Sequence, residues 1–175
     1  MTGRLLHYFP VSEEVDTSDM KWCGWHNDHG TITGLCSAMY LAPDGSEVDP
    51  SSIEDTESGL FAMNRNFEQV KIKIPKDSLA FQIGESAQIH SGGLLRATPH
   101  CVISKPSTEG ISRNTMAVFL EPNFEDIMSV PEGVDPVNVH KSDPTKQLSL
   151  IQNRWKNGQT FEEFEMETYK SFYDY

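Results

Sequence analysis

The stretch that decides the fold reads Trp25-His26-Asn27-Asp28-His29-Gly30-Thr31-Ile32-Thr33. Its β-branched residues predict a strand, and the segment from Trp25 leads into it. Because side chains alternate between the two faces of a strand, His26 and Asp28 share a face and could reach one metal ion. Taken alone, this spacing arises often by chance. His29 is a rival ligand, but a regular strand directs it to the opposite face.

Several other segments are short, rich in β-branched and aromatic residues, and bounded by Gly, Pro, Asn or Asp, which is typical of strands. The predicted strands are Leu5–Phe9, Thr31–Leu41, Leu60–Met63, Val70–Ile74, Leu79–Ile83, Leu94–Ile103 and Asn114–Leu120. With little helical pattern between them, they predict a mostly β fold, either a sandwich or a barrel.

Two later segments carry side chains that can bind ligands. His100 lies in a predicted strand and could complete a set of two histidines and one carboxylate with His26 and Asp28, a set that is typical of iron(II) oxygenases. Arg113 and Thr115 again share a face, and a guanidinium beside a hydroxyl suits a carboxylate ligand. An ordinary surface arginine at the start of a strand is the simpler reading of Arg113 alone.

The order of these motifs, His-x-Asp, then His, then Arg-x-Thr, resembles the isopenicillin N synthase-like family of 2-oxoglutarate/Fe(II)-dependent dioxygenases. The resemblance covers about residues 4–124. It is carried by the segments Arg4–Pro10, His26–Thr33, Phe81–Glu85, Ser91–Val102 and Arg113–Pro122. The chain departs from the family at Phe9, Glu85, Cys101 and Thr115, where members usually place Tyr, Asp, Arg and Ser.

The resemblance implies a double-stranded β-helix, or jelly roll, with the site inside the mouth of the barrel. By this resemblance His26, Asp28 and His100 hold Fe(II) and are the catalytic residues. Arg113 and Thr115 bind 2-oxoglutarate, and Tyr8 lies near it. The implied reaction consumes 2-oxoglutarate and O2, releases succinate and CO2, and hydroxylates or desaturates a small organic substrate. Ascorbate is expected to stimulate it.

The whole chain, residues 1–175, is predicted to be one catalytic domain with its core at about 4–124. A C-terminal helix is predicted at about 160–173, because Thr160 and Glu163 form a capping box and aromatic residues follow on one face. The helical N-terminal region of the family is missing, so we expect a fragment of a longer protein. We also expect an exposed apolar patch around the first strand and the C-terminal helix.

Charge and cysteine content limit the partners and the compartment. Lys and Arg number 14 and Asp and Glu number 26, and the net charge of −12 argues against nucleic acid or an anionic membrane as a partner. The three cysteines have no metal-type spacing, which favours a reducing, cytoplasmic location. A small-molecule substrate and no obligate protein partner are expected.

Two other functions remain open at this point. One is an iron oxidase of the same fold that does not consume 2-oxoglutarate. The other is a non-catalytic metal-binding or interaction protein. An acidic segment, Ala42–Ser58, and a proline-rich segment, Pro131–Pro144, are predicted to be a solvated loop and an extended connector.

Overall fold

Antiparallel strands form two main sheets in a computed structural model, which describes residues 1–10, 21–54, 58–104, 110–140 and 150–172. The mostly β jelly-roll fold with a C-terminal helix is confirmed. None of the helices in these ranges is long and apolar enough to span a membrane.

The larger sheet is built around one long strand, β10. β1 pairs along one edge of β10, and β4 and β3 pair one after the other along its opposite edge. β5 extends the sheet beyond β4, and β8 extends it beyond β3. The strands of this sheet are β1 (Thr2–Tyr8), β3 (Ile32–Cys36), β4 (Met39–Leu41), β5 (Glu47–Val48), β8 (Leu79–Ile83) and β10 (Ser112–Leu120).

The smaller sheet carries the two predicted histidine ligands. Its strands pair in the order β2, β9, β6 and β7, and the pairing of β2 with β9 is irregular. They are β2 (Lys21–His26), β6 (Gly59–Met63), β7 (Gln69–Lys71) and β9 (His100–Ile103). A separate pair, β11 (Ile127–Met128) and β12 (Gln159–Thr160), contacts the C-terminal helix.

Five helices in the described ranges accompany the sheets, and all of them except the first contribute to one apolar core. They are α1 (Pro50–Glu54), α2 (Glu85–His90), α3 (Val137–His140), α4 (Ile151–Arg154) and α5 (Phe161–Phe172). The core consists of Ile89, Met128, Val139, Ile151, Trp155, Phe161 and Phe164. α5 therefore packs through its apolar face, as predicted, and this core anchors α2 next to the metal-ligand candidates.

The predicted capping box at the start of α5 is confirmed. The Thr160 amide donates to the Glu163 carboxylate at 2.9 Å, and the Glu163 amide donates to the Thr160 hydroxyl at 3.3 Å. Of the predicted aromatic face, Phe161 and Phe164 are buried, whereas Tyr169 and Phe172 keep 38% and 43% of their surface exposed.

Two of the predicted strands are wrong in extent. The segment Thr31–Leu41 is divided into β3 and β4, because its two halves pair with different parts of β10. The segment Leu94–Ile103 is strand only from His100. In its first half the Ala97 amide donates to the Gln88 side-chain oxygen at 2.8 Å instead of to a neighbouring strand. The remaining predicted strands differ from the observed ones by a few residues at their ends.

The two predicted irregular segments contain short elements that were not expected. The acidic segment Ala42–Ser58 includes β5 and α1, and its residues 55–57 lie outside the described residues. The connector Pro131–Pro144 includes α3, and its residues 141–144 lie outside the described residues. Both predictions were wrong in part, because elements of two to five residues are too short to produce a periodic pattern.

Large apolar side chains lie exposed on the outer face of the larger sheet. Leu5 on β1 is 86% exposed and pairs across the strands with Met116, which is 45% exposed. Phe81 on β8 is 65% exposed. The predicted apolar patch at the first strand is therefore present, and it extends across the sheet to β8. Monomeric proteins seldom leave such a continuous apolar surface open.

Candidate metal centre

His26, Asp28 and His100 come together at the end of the smaller sheet. His26 is the last residue of β2 and lies opposite His100 of β9, with 4.1 Å between the ring centroids. Asp28 follows in the loop, so the predicted alternation within one regular strand does not apply. The loop nevertheless places Asp28 Oδ1 3.8 Å from His26 Nε2 and 3.9 Å from His100 Nε2. The ligand atoms of all three lie within 4.8 Å of one another.

Backbone carbonyls fix the orientation of both imidazole rings. His26 Nδ1 donates to the Gly24 carbonyl at 2.8 Å, and His100 Nδ1 donates to the Thr98 carbonyl at 3.1 Å. Each ring therefore turns its Nε2 towards Asp28. A hydrogen bond from the second ring nitrogen is the usual way in which proteins set the tautomer of a metal-binding histidine.

The carboxylate of Asp28 is held by one of its oxygens. Oδ2 accepts a hydrogen bond from the Thr33 hydroxyl at 2.5 Å and another from the Gln82 amide at 2.8 Å. Thr33 and Gln82 are neighbours across β3 and β8, and both lie in the larger sheet. Oδ1 is left to face the two histidines, so Asp28 is oriented to offer a single oxygen. Sequence reasoning missed Gln82 and Thr33.

The two histidines differ in their affinity for a proton. Burial lowers the pKa of His26, but its interactions with the Cys23 side chain, the Gly24 carbonyl and Asp28 outweigh burial and raise the pKa to about 9. Burial and the neighbouring His26 lower the pKa of His100 to about 4. At neutral pH and in the absence of metal, His26 is therefore a positively charged imidazolium and His100 is a neutral imidazole.

The N-terminus of α2 fixes the backbone of the Asp28 loop. The Glu85 amide donates to the Asp28 carbonyl at 2.8 Å, and the Ser86 hydroxyl donates to the His29 carbonyl at 2.6 Å. Gly84 lies so close to Gly30 that a Cβ at position 84 would come within 2.2 Å of the Gly30 oxygen. Only glycine fits at this contact, so the close approach of α2 to the loop depends on it.

A buried ion pair connects the start of α2 to α4. Arg154 of α4 makes two hydrogen bonds to the Glu85 carboxylate, at 2.7 and 2.8 Å, and both side chains are only 3% exposed. The Asn27 amide donates to the same carboxylate at 3.2 Å. Glu85 stands where the family that this chain resembles usually has Asp. It holds Asn27, which lies between His26 and Asp28 in the loop, and it does not line the cavity.

His29 belongs to a different cluster. Its Nε2 is 3.3 Å from the Glu165 carboxylate of α5, and its ring stacks on Phe161. The ligand atoms of His29, Glu121 and Glu165 lie within 4.8 Å of one another. The side chain thus points away from His26 and His100, in the direction that strand alternation had suggested.

Arg113, Thr115 and Tyr8 line the same cavity as the three metal-ligand candidates. Arg113 is 5% exposed, and its guanidinium carbon lies 5.4 Å from the Tyr8 ring centroid. Its Nε has no hydrogen-bond partner among the described residues. The Thr115 hydroxyl makes only a long hydrogen bond, 3.3 Å, to the Cys36 carbonyl. Burial raises the pKa of Tyr8 against the opposing effect of Arg113, so its phenol is neutral at physiological pH.

The cavity has a volume of about 170 Å³ and lies between the two sheets. Besides the side chains described above, Arg4, Cys23 and Cys36 line its wall, and the remaining lining residues are apolar. The apolar lining is formed by Leu6, Leu35, Leu60, Ile74, Val102, Ala117 and Phe119. A concave, mostly apolar site with a few convergent polar groups is typical of small-molecule binding.

Solved structures with the same fold support this description. The chain resembles full-length T7H of Neurospora crassa in complex with alpha-KG, with 20% identity and a TM-score of 0.63 over 98% of this chain and 44% of that one. It resembles a protein from Caulobacter crescentus assigned to the 2OG-Fe(II) oxygenase family, with 22% identity and a TM-score of 0.61 over 97% and 45% of the two chains.

A third structure is a dioxygenase for auxin oxidation from Arabidopsis thaliana in complex with 2-oxoglutarate. It shares 25% identity and a TM-score of 0.55 over 78% of this chain and 44% of that one. The chain thus spans less than half the length of these proteins. Neither a protein-family profile nor a curated protein sequence matches it. In its strands, its sheets and its C-terminal helix, the chain has the fold of the 2-oxoglutarate–Fe(II) oxygenases.

Proposed function

We propose that the chain is the catalytic part of an Fe(II)- and 2-oxoglutarate-dependent oxygenase. It would oxidise a small organic substrate by hydroxylation or desaturation, with release of succinate and CO2. The order of its motifs places it, in this proposal, in the isopenicillin N synthase-like branch. The observation that carries the proposal is one cavity that holds both a two-histidine, one-carboxylate cluster and a buried arginine, whose Nε has no hydrogen-bond partner among the described residues.

The donor set fits iron(II). Two imidazole nitrogens and one carboxylate oxygen, all on one side of the cavity, leave coordination positions open for other ligands. Iron(II) in such a site supplies the activation of O2 and the oxidative decarboxylation of 2-oxoglutarate. His26, Asp28 and His100 would hold the ion through Nε2, Oδ1 and Nε2. The Gln82 amide nitrogen lies 3.2 Å from His100 Nε2, so a bound ion would take the place of that contact.

Arg113 would bind the distal carboxylate of 2-oxoglutarate. Its guanidinium is buried, and an unpaired buried charge is costly unless a ligand of opposite charge completes the site. Thr115 could turn its hydroxyl from the long bond with Cys36 to the same carboxylate. Tyr8 covers the guanidinium and keeps water from it. The apolar wall excludes water from the reacting groups.

This arginine favours the proposal over a protein that only binds metal, because a buried guanidinium in the cavity fits a carboxylate ligand. An iron oxidase that does not use 2-oxoglutarate is separated from the proposal by the release of succinate. The fold neighbours that were solved with 2-oxoglutarate or alpha-KG support the same choice.

The test is succinate release from 2-oxoglutarate by anaerobically iron-loaded protein, started with O2 in the presence of ascorbate. We expect slow uncoupled turnover without the substrate. Arg113→Lys should weaken 2-oxoglutarate binding strongly while leaving iron bound, because an ammonium cannot make the forked contact. Arg96→Lys is the matched control, since Arg96 also lies over an aromatic ring, that of Phe67, but does not line the cavity. A folded, iron-loaded protein that neither binds 2-oxoglutarate nor releases succinate would contradict the proposal.

A further inference from the structure

A second arginine, Arg4, lines the cavity that contains the metal-ligand candidates. It lies on β1, and its guanidinium carbon is 5.0 Å from the centroid of the Phe119 ring. Among the described residues, Arg4 has this ring contact but no ion pair or hydrogen bond from its side chain. An arginine held over an aromatic face keeps its donors free for an anion.

Arg4 and Arg113 occupy different ends of the cavity. Arg113 pairs with Tyr8 across β10 and β1, whereas Arg4 lies opposite Ala117. Arg4 and Tyr8 are four positions apart on β1, which corresponds to roughly 13 Å. The Arg113 guanidinium lies over the Tyr8 ring, and the Arg4 guanidinium lies over the Phe119 ring. Phe119 is farther from Arg113 along β10 than Ala117 is. A co-substrate carboxylate bound at Arg113 therefore leaves Arg4 available to a second ligand.

The order of the strands indicates how far β1 lies from the strand that supports Asp28. Phe119 lies directly opposite Thr33 across β10 and β3, and the Thr33 hydroxyl holds Asp28. β1, which carries Arg4, is two strands away from β3, or roughly 10 Å at the usual strand spacing. A molecule of about that length could place one end near the iron site and the other at Arg4. Its middle would lie against Leu6, Ala117 and Phe119.

From this geometry we propose that the substrate is a small organic acid with an apolar body, whose carboxylate binds Arg4. The inference rests on the proposed oxygenase function and extends it to the class of substrate. A single guanidinium matches a single carboxylate through two parallel hydrogen bonds. The net charge of the chain is −12, so its overall field repels anions, and binding of an acid in the cavity needs a local cation. With Arg113 assigned to 2-oxoglutarate, the exposed Arg4 is the cation of the cavity wall that remains for a second acid.

The test compares acids with their uncharged amides. The probes are phenyl-substituted straight-chain carboxylic acids of increasing length and the corresponding primary amides. Their affinities are measured by calorimetry or saturation-transfer NMR, on protein loaded with redox-inert Zn²⁺ and 2-oxoglutarate. For at least one chain length we expect the acid to bind about tenfold or more tightly than its amide, as a charge-assisted hydrogen bond implies. Arg4→Gln should remove this preference.

Arg96→Gln is the matched control, because it removes the same charge from an arginine that also lies over a phenylalanine ring but outside the cavity. It should leave the preference for acids unchanged. The proposal is overturned if no acid of the series binds, if acids and amides bind equally to the unmodified protein, or if the preference survives Arg4→Gln. A failure of the oxygenase function would show separately, as a loss of 2-oxoglutarate binding and succinate release, since the comparison of acids and amides needs no turnover.

Discussion

Replacement of Gln82 by leucine should weaken metal binding without disturbing the fold. The Gln82 amide donates to Asp28 Oδ2 at 2.8 Å and also lies 3.0 Å from His100 Nδ1. Leucine has nearly the same size, and the β8 backbone that pairs with β3 keeps its hydrogen bonds. Asp28 would then be held by the Thr33 hydroxyl alone and could rotate. Loss of such a supporting partner typically lowers metal affinity by about 10- to 100-fold, which is about 1.4 to 2.7 kcal/mol.

The assay is anaerobic competition between the protein and a coloured chelator for Fe²⁺, repeated with Zn²⁺. Gln69→Leu is the control, because Gln69 is exposed on β7 and does not line the cavity. Circular dichroism should give the same spectrum for both variants. Thr33→Val, which removes the other hydrogen bond to Oδ2, should have an effect of similar size. If Gln82→Leu binds both metals as tightly as the control, Gln82 does not orient Asp28 and the reasoning is refuted.

Three further predictions concern the same protein. Metal affinity should rise about tenfold per pH unit between about pH 6 and about pH 8, because one proton must leave His26, whose pKa is about 9, whereas His100, with a pKa of about 4, is already neutral. Competition titrations that show no slope, or a slope of two protons, would contradict this. His100→Ala should abolish tight metal binding and His29→Ala should leave it unchanged, and equilibrium dialysis that gives the reverse result would show the ligand assignment to be wrong. The exposed outer face of the larger sheet should bind a hydrophobic dye and promote self-association, and the double variant Leu5→Asp, Phe81→Asp should reduce both in fluorescence and sedimentation measurements. A monodisperse, dye-free unmodified chain would count against this interpretation.

The sequence allowed the fold class and the meeting of His26, Asp28 and His100 to be predicted, because the order and spacing of those motifs are specific. The sequence did not, however, correctly predict which local structure brings His26 and Asp28 together. Alternation in a regular strand was expected to align His26 with Asp28, but the strand ends at His26. The alignment depends instead on the amides and the glycine at the start of α2, which contact the loop from a distance of more than fifty residues along the chain.

The supporting residues were missed for a physical reason. Gln82 is one polar residue in the otherwise apolar strand Leu79–Ile83, and such a pattern does not tell which face is buried. An apolar side chain is usually expected to face the interior and a polar one the solvent. In this strand Phe81 is exposed and Gln82 lines the cavity. Arg4 could have been singled out only by its register with Ala117 across β10, which is a long-range pairing.

The position of the three metal-ligand candidates at the junction of the two sheets links metal binding to folding. Both histidines belong to the smaller sheet, whereas Asp28 is bonded to two strands of the larger one. An ion held by all three would join the sheets, and unfolding would require its release. At a free metal concentration of 100 times the dissociation constant, this adds about 2.7 kcal/mol to the free energy of unfolding. Melting temperature and resistance to proteolysis should therefore report metal occupancy directly, before any substrate is known.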